Sequence, residues 1–125
     1  KLNNQVYVFG KQHNRIWRLN GKVDVIITDS PILISILYDP EANEYLKKLI
    51  IFEFEKLNTI NYYINREFEY DARGRIHTLD ESKIVDDKCL NLLDEIGVEY
   101  TKIRNNEVEV DVIINKIINK LNEEL

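Results

Sequence analysis

Val23-Asp24-Val25-Ile26-Ile27-Thr28-Asp29-Ser30-Pro31 sets the expectation for everything around it. Val25, Ile26 and Ile27 are consecutive and β-branched, the composition of a strand covered on both faces in a parallel sheet. Such a strand releases its next residues at the carboxyl edge of the sheet, where open α/β folds place their ligands. Asp29 is therefore a candidate metal or proton ligand. The same Asp29-Ser30-Pro31 also suits a turn that caps the following helix.

Outward from this strand, helices and strands alternate. Residues 2–19 predict a helix with Val6, Phe9, Ile16 and Leu19 as apolar positions, ended by Asn20-Gly21. Trp17 is expected to pack. Pro31 begins a short helix through Leu37, and Asp39-Pro40-Glu41 starts another as N-cap, first helical residue and dipole partner. That helix carries Tyr45, Leu46, Leu49, Ile50, Phe52 and Phe54 to about Leu57. Thr59–Ile64 is a second strand, and residues 66–77, with no clean period, read as a mobile loop. Thr78-Leu79-Asp80-Glu81 is a capping box opening a helix with Ile84, Val85, Leu92, Leu93 and Ile96 inside and Gly97 as its stop. Val98–Ile103 is a third strand. A last helix over 108–121 turns Val110, Ile113, Ile114, Ile117, Ile118 and Leu121 inward. The expectation is one α/β domain over 1–125: three layers, a mostly parallel sheet with helices on both faces.

Composition narrows the class. A chain of 125 residues with 44% hydrophobic and 31% charged residues suits one globular domain. The balance of 17 Lys+Arg against 22 Asp+Glu, a net −5, argues against extended nucleic-acid binding but leaves room for a local basic site. The lone Cys89 forms no internal disulfide, which suits a reducing, cytoplasmic setting. No stretch has the length of a membrane span. The chain holds no Met and opens on Lys1, so it is expected to be the later part of a longer product.

Few residues carry recognisable chemistry. Arg66, Arg73 and Arg75 cluster around Tyr70, Asp71 and Gly74, and planar guanidinium forks match phosphate oxygens. They also suit a solvated polar loop. Lys11, Gln12, Arg15 and Arg18 share the first helix, where Gln12 and Arg15 can hold a base edge and a phosphate or form its wet side. His13 and His77 lack partners at ligand spacing, so zinc is not expected. Ser30 has no base nearby and reads as a turn residue or as a hydroxyl supporting its neighbours.

Phe9-Gly10-Lys11-Gln12 with Arg15, Val25 to Pro31, and Arg73-Gly74-Arg75 before Thr78 together resemble the P-loop kinase-like NTPases common in phages and bacteria, akin to nucleoside and nucleotide kinases. The resemblance runs over most of residues 5–103. It implies an ATP-dependent phosphotransferase acting on a nucleoside or nucleotide, with ATP and Mg²⁺ as cofactors. By the same resemblance Asp29 approaches Mg²⁺ or helps activate the acceptor, and Arg73, Arg75 and Arg66 reach phosphates from the lid. Gln12 and Arg15 fall on the acceptor side with Tyr38 as a wall, and Arg104-Asn105 lies near the adenine. The sequence departs from the family in one respect: it contains no G-x-x-x-x-G-K-[ST], the loop whose N–H groups and lysine hold the triphosphate. In the family that loop and its strand precede the region seen here, and the strand lies between the first two strands above. The alternatives are a non-catalytic module that binds a nucleotide or a protein, and an assembly subunit pairing through an exposed sheet edge, a homo-oligomer included.

Overall fold

A computed structural model describes residues 4–65, 79–104 and 107–124. Its elements, in chain order, are α1 (Gln5–Leu19), α2 (Ile34–Leu37), α3 (Glu44–Glu55), β1 (Tyr62–Asn65), α4 (Leu79–Glu95), β2 (Thr101–Arg104) and α5 (Glu107–Glu124). Two compact units divide them. Residues 1–59 with 85–97 form the first, and residues 60–84 with 98–125 the second.

The first unit is helical. Asn4 caps α1, its side-chain oxygen accepting from the Tyr7 N–H at 3.3 Å, and Arg18 complements the negative end of the dipole. The Asn20 N–H returns to the Ile16 carbonyl at 3.0 Å, and Gly21 takes φ +81°, so the helix stops where the Asn-Gly pair said it would. Phe9 of α1, Ile32 and Leu33 before α2, Leu46, Ile50 and Phe54 of α3, and Leu92 of α4 are its buried apolar side chains. On α3 the buried three stand at i, i+4 and i+8, one helix face, while Tyr45, Leu49 and Phe52 remain exposed. Gly97, at φ +72°, follows the end of α4 as its C′ residue.

The start of α3 differs from expectation. Asp39 does accept backbone hydrogen bonds, from the N–H groups of Glu41 (3.1 Å) and Asn43 (2.8 Å), but it closes a turn rather than a helix. Ala42 sits at φ +48°, which interrupts any helix, and Asn43 then caps α3 by accepting from Tyr45 and Leu46.

In the second unit β1 and β2 pair in parallel, Tyr62 opposite Thr101 and Asn65 opposite Arg104. The Thr101 N–H donates to the Asn61 carbonyl at 3.0 Å just before the pair begins. The Thr78 capping box and the 66–77 loop lie outside the described residues. α5 turns its expected inner stripe only partly inward. Ile113, Ile117 and Leu121 are half-buried, whereas Val110, Ile114 and Ile118 are exposed.

The expected three-layer, mostly parallel α/β sheet is therefore corrected: the structure is mostly helical, with two short parallel strands. Val23–Thr28 is the reason. It forms no strand, and no backbone hydrogen bond ties Val23–Ile27 to the described residues. Ile27 is 85% exposed, and Val23, Val25 and Ile26 are exposed as well. β-branched composition makes a strand only where neighbours supply the ladder, and none does so here. Trp17 also departs from expectation, 69% exposed on α1. Among the described residues no helix is long and apolar enough to cross a membrane.

Candidate functional site

The segment that fails to become a strand ends in an ordered polar turn. The Ser30 N–H donates to Thr28 Oγ1 at 3.0 Å, and Ser30 Oγ donates to Asp29 Oδ1 at 3.2 Å. This side-chain-to-backbone closure is what Thr, Asp and Ser supply in turns. It holds the exposed Asp29 carboxylate three residues before Ile32, which with Leu33 is anchored in the core. Asp29 thus stands on a coil, not at a sheet edge, and its placement comes from the turn and the anchored residues after it.

The other expected residues fall into three groups. Gln12, half-buried, and Arg15, exposed, lie on α1, which packs against α2. Tyr38, 47% exposed, ends α2. These three share the first unit with Asp29, but among the described residues no hydrogen bond or ion pair joins Asp29 to Arg15. Arg104 belongs to the second unit, where its backbone N–H donates to the Glu109 carboxylate. Arg66, Arg73, Arg75 and Asn105 lie outside the described residues.

A polar link that sequence spacing does not disclose joins α1 to α3. His13 Nε2 meets Glu53 Oε2 at 3.2 Å, and Lys56 Nζ meets the same oxygen at 3.2 Å. The Phe9 ring lies against His13 with centroids 5.7 Å apart. The Glu53–Lys56 spacing of three is legible in the sequence; the partner on α1 is not, because it is distant along the chain. Lys56, and then His13, hold the Glu53 carboxyl below its ordinary range, against the opposing effect of desolvation. A depressed acid contributes stability above its unfolded value, and loses it as pH falls through the lower folded value. Acidification below about 4.5 is thus expected to destabilise the native protein more steeply than a Glu53→Gln variant. Urea midpoints of both proteins at neutral and acidic pH measure the difference, and equal slopes refute it.

Lys47 and Glu95 pair at 2.9 Å, which raises the Lys47 ammonium above its ordinary value, and burial pushes the Cys89 thiol up, reinforced by Asp86. A thiol shifted upward is a poorer nucleophile at neutral pH. Among the described residues no group of three or more His, Cys, Asp or Glu side chains is arranged to hold a metal ion.

Compared with protein-family models, curated proteins and solved structures, the chain matches none.

Proposed function

We propose that this chain carries the acceptor, lid and adenine side of an ATP-dependent phosphotransferase acting on a nucleoside or nucleotide. The observation that supports this most is the Thr28–Ser30 turn, which presents an ordered, exposed carboxylate beside a hydroxyl. Those are hard oxygen donors, and Mg²⁺ is held by one or two carboxylates together with substrate phosphates rather than by a full protein cage. Asp29 and Ser30 would hold such an ion, which would supply charge neutralisation at the phosphates. Asp29 otherwise accepts the proton of the attacking hydroxyl. Gln12 and Arg15 take the base edge and a phosphate of the acceptor, and Tyr38 supplies a wall. The resemblance alone assigns Arg66, Arg73 and Arg75 to phosphate oxygens and Arg104 with Asn105 to the adenine. Catalysis is then mainly positioning and charge stabilisation.

Transfer from radiolabelled ATP to a panel of nucleosides and deoxynucleotides, catalysed by this protein, tests the proposal. One acceptor class should turn over, and only with Mg²⁺; a folded protein that phosphorylates none of them refutes it. The absence of G-x-x-x-x-G-K-[ST] from the sequence favours a second reading, a module that binds a nucleotide without turnover. Calorimetry separates the two: nucleotide binding that needs no Mg²⁺ and yields no product supports the module.

A further inference from the structure

Charge is unevenly placed along this chain. Lys1, Lys11, Arg15, Arg18 and Lys22 precede Asp24, which is the first acidic residue. α1 therefore contains no acid, while all 22 Asp and Glu residues lie after it. On α1, Tyr7, Lys11, Arg15 and Arg18 follow one another at four, four and three residues, which places them on one stripe. All four are exposed. The stripe runs opposite Phe9 and Ile16, which belong to the inward side of the helix.

Two large aromatics flank these cations in water. Tyr7 is 56% exposed and Trp17 69% exposed, and the Lys11 ammonium sits 5.8 Å from the centre of the Tyr7 ring. That is a cation–π distance. Gly10 lies between the two aromatics along the helix, and a Cβ added there would meet nothing within 4 Å. The surface between Tyr7 and Trp17 is accordingly low and open.

We infer that the outward face of α1 is a short binding site for single-stranded nucleic acid: Lys11, Arg15 and Arg18 meet successive phosphates, while Tyr7 and Trp17 stack on bases. The combination of cations with exposed π-faces is what such strands require, because their bases are unstacked. A duplex offers phosphates but hides its base faces, so the aromatics gain nothing from it. An anionic bilayer needs a free apolar helix face to insert, and here Phe9 is buried in the first unit. Lys11 to Arg18 covers about 10 Å of helix axis, room for two or three phosphates. The net acidic charge of the chain after Lys22 disfavours broad phosphate contact beyond such local basic sites.

Trp17 is the only tryptophan, so its emission reports on this face alone. Titrating the full chain with a ten-nucleotide oligothymidylate should quench it saturably. With three phosphates neutralised, affinity should fall about 20-fold between about 50 and 200 mM salt. Lys11→Gln with Arg18→Gln should weaken binding about tenfold or more at low salt and flatten the salt dependence to that of one contact. Trp17→Ala should cost about tenfold, measured by anisotropy of a labelled strand, and Trp17→Phe much less. Circular dichroism checks that α1 survives these exposed substitutions. The inference is overturned by an unchanged emission, by equal affinity for a duplex or for dTMP, or by unaltered binding in the Lys11/Arg18 double variant. It is equally overturned if phosphatidylserine vesicles or a polyglutamate peptide bind this face and the oligonucleotide does not. None of these readouts depends on phosphoryl transfer, so failure here and failure of the proposed enzymatic activity are distinguishable.

Discussion

Under the proposed phosphotransferase reading, Asp29→Asn is expected to lower kcat by about two to four orders of magnitude, the range for losing a group that moves a proton in the transition state. The amide keeps the shape of the carboxylate and one acceptor oxygen, so the hydrogen bond from Ser30 Oγ and the turn it closes can persist. What disappears is the negative charge. A charge acting mainly on the transition state changes kcat more than the acceptor KM, and that split is the diagnostic. Ser30→Ala removes the 3.2 Å contact but keeps the charge, so its loss should be small beside that of Asp29→Asn. Steady-state kinetics of both variants at saturating ATP and Mg²⁺ provide the check. If Ser30→Ala and Asp29→Asn lose activity equally, the turn matters and the carboxylate does not.

Ile50→Ala should destabilise the first unit by about 2–5 kcal/mol, the usual cost of removing a fully buried aliphatic side chain and leaving a cavity. Ile50 is 0% exposed on the face of α3 that also carries Leu46 and Phe54. Among the described residues few apolar side chains are buried with it, so the cavity has little around it to collapse inward. For a unit of this size a loss near 3 kcal/mol lowers Tm by about 15 °C. Tyr45→Ala, on the same helix but 84% exposed, should change stability by no more than about 0.5 kcal/mol. Thermal melts followed at 222 nm compare the pair. Equal shifts would mean that α3 buries a different face from the one described.

Features governed by the nearest few residues were legible. The ends of α1 at Asn20-Gly21 and of α4 at Gly97 follow from local backbone geometry, since both glycines occupy positive φ. The Asp39 side chain was recognised as a backbone acceptor, yet Asn43 is the residue that caps α3. The positive φ at Ala42 separates the two and leaves no mark in residue type.

For the candidate site the same boundary applies. That Asp29 and Ser30 form a polar turn could be read from their chemistry, and the turn is present. That His13 would find Glu53 could not, because the partners are 40 residues apart. Neither could the exposure of Trp17, since an aromatic on an amphipathic helix carries no label for which side it takes.

By itself the sequence determined where α1 and α4 end and which residues carry charge. Only the tertiary structure decided that Val23–Thr28 stays out of a sheet and that Val110, Ile114 and Ile118 of α5 remain in water. The physical reason is common to both. A capping hydrogen bond or a left-handed glycine is completed within a few residues, whereas a strand's ladder and a helix's buried face are completed by groups far away in the chain.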